Sequence, residues 1–110
     1  MAVSQGEIVE LNYELPDGKF KQHPAVIISK SEVHEVEDIF YALMISSKPL
    51  PDQFSYALSD EMLTKPLPKK SYVKCQLLQS YTEDEIIRRY GRIKLKYLQE
   101  IKEVLMNNVF

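Results

Sequence analysis

The sequence predicts a mainly β fold of the α+β class: a small, strongly bent antiparallel sheet or open barrel with a carboxy-terminal α-helix. Three observations carry that expectation. Short runs of apolar or alternating residues recur between turn signals, which is the pattern of several short antiparallel strands. An apolar stripe at three- and four-residue steps, Leu95, Leu98, Ile101 and Leu105, is confined to the last third and marks one face of a helix. A chain of 110 residues with 45% hydrophobic content closes one core and not two, so residues 1–110 are expected to form a single domain.

Taken in order, Glu7 to Tyr13 sets Val9, Leu11 and Tyr13 on one face against Glu10 and Asn12, the alternation of a half-buried strand, and Gly6 marks its start. Leu15-Pro16-Asp17-Gly18 is a turn signature, with proline fixing one φ and glycine free to take a positive one. Lys19 to Gln22 are expected to prolong it as a flexible polar loop. Ala25 to Ile28 and Ile39 to Ile45 are continuous apolar runs, which in strands of this length implies burial on both faces. Between them the acid-rich stretch from Ser31 to Asp38 reads as an exposed loop or irregular turn. Lys48 to Gln53, with two prolines, begins a second polar loop, and Phe54 to Leu58 a short strand. Lys65-Pro66-Leu67-Pro68-Lys69-Lys70 interrupts the pattern, because neither proline fits a central strand. Ser71 to Leu78 resumes it. Thr82-Glu83-Asp84-Glu85 places a hydroxyl cap before acids, a helix start, with Gly91 expected to end that short helix. Ile87 to Ile93 offers a last strand, and the terminal helix should pack its stripe on the sheet.

Charge is informative once divided. The formal net charge is −2, but residues 1–64 carry four Lys and eleven acids, whereas residues 65–110 carry ten basic and five acidic side chains. Lys65, Lys69, Lys70 and Lys74, then Arg88, Arg89, Arg92, Lys94 and Lys96, are thus expected to supply either a basic face for phosphate or simply a solvated surface. No apolar run approaches the ~20 residues that span a bilayer, and Met1 to Gly6 does not read as a signal peptide; a cytoplasmic protein without membrane contact is expected. The lone Cys75 cannot form an internal disulfide and sits between Val73 and Leu77 as a small buried thiol would. His34 has Glu35, Glu37 and Asp38 as neighbours but no second ligand cluster at a usual spacing, so no metal or cofactor is expected.

Several segments, in order, resemble the MazF/PemK family of toxin endoribonucleases: Gly6-Glu7-Ile8-Val9, the loop glycine Gly18, His23-Pro24-Ala25-Val26-Ile27-Ile28, Met44-Ile45-Ser46-Ser47, Ser71-Tyr72-Val73-Lys74-Cys75 and Tyr90-Gly91-Arg92-Ile93. The resemblance covers nearly the whole chain. It implies a small SH3-like antiparallel β-barrel of the CcdB-PemK type with a carboxy-terminal α-helix. Its implied activity is that of the toxin of a type II toxin-antitoxin system: metal-independent cleavage of single-stranded mRNA by attack of a ribose 2′-hydroxyl on the adjacent phosphate, inhibiting growth.

Such chemistry requires a group to take the hydroxyl proton, positive donors for the phosphorane and a proton for the leaving oxygen. In the family an arginine precedes the strand proline. Here His23 stands there, exchanging a permanent charge and bidentate fork for an ordinary pKa near ~6.5. The resemblance makes His23 and Ser46 the candidate catalytic residues. Lys19, Lys21 and Phe20, beside His23, are candidates to contact phosphate and stack a base, with Tyr13 a further stacking candidate. Ser47, Gln76 and Gln79 complete the candidate RNA-binding set, with Gln76-Leu77-Leu78-Gln79 departing from the family's acid-Gln pattern. Implied partners are single-stranded RNA, a cognate antitoxin and a second copy of the chain. Two other readings keep the fold: a catalytically inactive module that binds RNA, DNA or protein, and a gyrase-poison-like toxin.

Overall fold

A computed structural model describes residues 3–48 and 52–110. Six strands form one antiparallel sheet in the order β4-β5-β3-β2-β1-β6. They are β1 (Glu7–Glu14), β2 (Phe20–Ile27), β3 (Phe40–Ser46), β4 (Ser55–Leu58), β5 (Ser71–Tyr81) and β6 (Arg88–Arg92), joined by α1 (Ser31–Glu37) and followed by α2 (Leu95–Val104). The sheet bends into a barrel-like fold without closing through its own ladders. Instead, the segment after β4 laces onto the outer edge of β6: Leu63 bridges Ile93, and the Thr64 N–H donates to the Arg92 carbonyl at 3.0 Å. Gly91 makes that approach feasible. Its φ is +109° and a Cβ there would stand 2.8 Å from the Thr64 Oγ1, a contact and a conformation only glycine accepts.

The apolar runs in β2 and β3 are buried on both faces, as their composition predicts, and the alternation sorts their side chains into two clusters about the one sheet. Val26, Leu43, Ile45 and Val73 join Ile8, Leu98 and Ile101 beneath α2. Val9, Leu11, Tyr13, Ala25, Ile27, Phe40, Ala42 and Tyr81 fill the other. There the Tyr13 hydroxyl donates to the Ala42 carbonyl at 3.1 Å and that of Tyr81 to the Asn12 carbonyl at 3.0 Å. Tyr13 is therefore not available to stack a base. Cys75 is buried, and burial pushes its thiol up to about 11, a small apolar filler rather than a thiolate.

Local differences from the sequence reading have physical causes. Ser31 to Asp38 is not a loop: Ser31–Glu37 makes two turns of helix, ended by Asp38 in the left-handed region at φ 58° with its N–H on the His34 carbonyl. None of its residues is buried, so no apolar stripe announced it. Lys19 to Gln22 is not all loop either, since β1 runs on to Glu14 and pairs with Phe20, drawing Phe20, Lys21 and Gln22 into β2. Thr82 caps as expected, its N–H donating to Glu85 at 2.8 Å, but only one 3-10 turn, Glu83–Glu85, follows. Gly91 lies in β6 and terminates no helix. On the closing helix Leu98, Ile101 and Leu105 are buried while Leu95 is 69% exposed, so the buried stripe begins one step later than the sequence spacing suggests. The expected loop Lys48–Gln53 falls partly on residues 49–51, outside the described ones.

Candidate functional site

Pro24 shapes the site. Strand β2 lies between β1 and β3, yet its ladder to β3 covers only Ala25, Val26 and Ile27, opposite Met44, Leu43 and Ala42. Pro24, with no N–H to donate, stands where that ladder stops. On the other side β2 stays paired with β1, His23 facing Leu11. The two central strands thus part at His23 and Pro24, leaving a cavity of about 140 Å³ lined by His23, Ile45, Ser47, Pro68, Lys69 and Ser71 among others.

His23 is half-buried there. Burial holds its pKa below the usual histidine value, Lys21 and Lys48 lower it further, and the nearby Ile45 carbonyl, an acceptor for a ring N–H, opposes them in part. The ring is therefore neutral at pH 7, in the form that accepts a proton. Lys21, Lys48 and Lys69 around it form no ion pair with a described residue. A neutral base thus shares the cavity lining with Lys69, and the charges of Lys21 and Lys48 lie close enough to act on it.

The structure divides the remaining sequence candidates. Ser47 lines the cavity, whereas Ser46 is buried and its Oγ accepts the Lys48 N–H at 3.2 Å, an end-of-strand cap. Phe20 is 67% exposed, and Lys19 is exposed in the turn, its backbone N–H on Asp17 Oδ1 at 2.9 Å. Gln79 accepts the Tyr81 hydroxyl at 2.9 Å. Gln76 is exposed in a bulge: Leu78 faces Leu43 and Lys74 faces Met44, so Cys75, Gln76 and Leu77 have no β3 partner. Neither glutamine lines the cavity.

Much of the expected basic face is committed elsewhere. Lys74 is 3% exposed, its Nζ donating to Ser55 Oγ at 2.8 Å beside Asp52 at 3.6 Å. That surrounding holds the Asp52 carboxyl below its usual range, with the Ser55 hydroxyl the largest cause. Arg89 reaches Glu7 at 2.6 Å and Glu83 at 3.3 Å, and Arg88 stands 3.8 Å from Glu10. Lys48 and the Leu67-Pro68 wall went unassigned in the sequence. Their signals were adjacency to the Ser46-Ser47 strand end and the Pro/Lys punctuation of residues 65–70.

A larger groove, about 740 Å³, lies near His34, Asp38, Glu83, Asp84 and Arg89. Its acids make it a poor host for a phosphate chain. His34 Nε2 is 4.0 Å from Glu83 there, and no group of three potential metal ligands forms among the described residues. Nor is any described helix long and apolar enough to cross a membrane.

Comparison with known proteins places the chain. The model of the PemK-like, MazF-like toxin of type II toxin-antitoxin systems matches residues 4–109. MazF of Deinococcus radiodurans superposes with a TM-score of 0.79 at 15% identity, over 99% of this chain and 97% of that one. A MazE-MazF structure from the same organism gives 0.77 at 16%, over 99% and 97%. An endoribonuclease in complex with its cognate antitoxin, from a mycobacterial species, gives 0.80 at 15%, over 98% and 95%. At such identity these likenesses speak for the fold. No curated protein matches the sequence significantly.

Proposed function

This chain belongs to the PemK-like, MazF-like toxin family of type II toxin-antitoxin systems, and from that premise we propose that it is an endoribonuclease acting on single-stranded RNA at the His23 cavity. The carrying observation is the neutral imidazole of His23 set among Lys21, Lys48 and Lys69, none of them paired with an acid among the described residues. His23 takes the proton of a ribose 2′-hydroxyl, whose oxygen attacks the adjacent phosphorus. The lysines hold the phosphorane charge in place of the family arginine. The P–O5′ bond then breaks, the 5′-oxygen takes a proton, and the products are a 2′,3′-cyclic phosphate and a 5′-hydroxyl. Because the nucleophile belongs to the RNA, no metal-bound water is required.

Ser47, exposed on the cavity, is the hydroxyl that can donate to the phosphate or the leaving oxygen, and it takes the place in the reading that sequence alone gave to Ser46. Phe20, Lys19, Gln76 and Gln79 serve binding along the strand rather than chemistry. Solved relatives with a MazE partner or a cognate antitoxin support an antitoxin for this chain, with a homodimer as the working form. The decisive assay incubates purified protein with a long mRNA in chelator. Cutting at a few repeated sequences is expected, with His23→Ala inactive; no cutting by clean wild-type protein would sink the proposal. A second reading, RNA binding without cleavage, draws on the Ser46 hydroxyl being occupied by the Lys48 N–H. It predicts salt-sensitive binding and no product.

A further inference from the structure

The wall of the His23 cavity has a second face. Leu67, Pro68 and Lys69 line that cavity on one side and, on the other, an open groove of about 380 Å³ whose remaining lining includes Ser59, Asp60 and Lys70. Leu67 packs on the core beneath α2, so the wall is anchored, and Pro68 stiffens it. The cleavage proposal leaves this groove unused.

Asp60 is its distinctive member. The residue is exposed, and its carboxylate makes no hydrogen bond or ion pair with a described residue. Its backbone is fixed: the Met62 N–H donates to the Ser59 carbonyl at 3.0 Å and the Leu63 N–H to the Asp60 carbonyl at 3.2 Å. A carboxylate so held repels a phosphate but accepts a hydrogen bond from a base, while Lys69 and Lys70 suit the phosphate. Single-stranded RNA is read in this way, its unstacked bases splayed and recognised on their edges.

We propose that this groove is a nucleobase subsite. With the scissile phosphate at His23, the neighbouring nucleotide crosses the Leu67-Pro68-Lys69 wall, its phosphate rests on Lys69 and Lys70, and its base turns into the groove. There Asp60 accepts a hydrogen bond from an exocyclic amino group, favouring cytosine, adenine or guanine over uracil at one position beside the cut. The inference rests on the nuclease reading of the His23 cavity but assigns a different residue and a different property, sequence preference.

Its test uses the full chain in two arms. Wild-type protein and Asp60→Asn each cut a long mRNA whose new ends are sequenced, and each enriches sequences from a randomised pool of single-stranded RNA. Wild-type protein should show an amino-bearing base at one fixed position. Asparagine presents a donor as well as an acceptor, so discrimination against uracil there should fall about tenfold in Asp60→Asn. Should that variant melt early, Asp60→Ser must show the same loss. Unchanged preference at every position in a folded variant overturns the subsite and leaves the nuclease reading standing. Conversely, a wild-type protein that cuts nothing yet enriches RNA with an Asp60-dependent preference removes the nuclease reading and keeps the subsite. Protein that neither cuts nor enriches removes both.

Discussion

On β6 the arginines are occupied, whereas around His23 the lysines are free. Arg88 and Arg89 face Glu10, Glu7 and Glu83, and the Arg92 guanidinium donates to the Gln5 carbonyl at 2.7 Å; Lys21, Lys48 and Lys69 have no acidic partner among the described residues. Both groups count equally in a tally of charge. Their difference shows that a chain of net charge −2 can still offer a local positive field, because pairing cancels one set at short range and leaves the other to act on a ligand. The arginines belong to the architecture, joining β6 to β1. The lysines belong to the proposed site.

Substitutions should separate the two regions, most strongly at His23. His23→Ala should lower RNA cleavage by at least about a hundredfold while the melting temperature holds; an active, well-folded variant would end the catalytic assignment. Replacing Lys21, Lys48 and Lys69 together by glutamine should reduce the slope of log affinity against log salt for single-stranded RNA by about 2, roughly 0.7 per lost phosphate contact. A slope left untouched would place the RNA elsewhere. On β6 the loss should fall on stability instead. Gly91→Ala, strained at positive φ and pressed on Thr64, should cost about 2 kcal/mol in denaturant unfolding. Arg89→Ala, at a partly exposed ion-pair site, should cost about 1 kcal/mol with the RNA salt slope unchanged. If Arg89→Ala changed that slope as the lysine variant does, the two regions would not be distinct.

Smallest is a pH effect. Because the folded-state pKa of His23 lies below its unfolded value, the unfolded chain binds the proton first as pH falls. Its contribution therefore leaves stability flat above pH ~6.5 and lowers it below, down to the folded pKa. His23→Gln should remove that part of the slope in unfolding titrations between pH 5 and 7, an approximate window set by the ordinary histidine value. An identical slope in the variant would assign the effect to other groups.

Legibility in the sequence followed burial. The runs Ala25 to Ile28 and Ile39 to Ile45 revealed central strands because both their faces are buried, and Leu98, Ile101 and Leu105 revealed the closing helix because one face is. Helix α1 stayed hidden for the opposite reason: it buries nothing, and a periodicity argument needs a buried side. At the site, His23 and Pro24 could be singled out, because the family's arginine-proline entry to a Val/Ile-rich strand falls on them. Ser46 and Ser47 could not be told apart, because which hydroxyl a strand end turns toward the cavity depends on the register of β3 against β5. Lys74 looked like its neighbouring lysines until Asp52 and Ser55 were found beside it, across the β4 to β5 pairing.

Burial patterns write certain elements locally, and these are readable in the chain: six strands in outline, a closing helix, a turn at Gly18 and a family resemblance carried by ordered segments. Which charges remain free, which serine faces the cavity and which wall completes it emerge only once the chain is folded. Those outcomes rest on residues far apart in the chain being brought together, Arg89 against Glu7 and His23 with Lys69 around one cavity, and no local pattern of side chains encodes a distance.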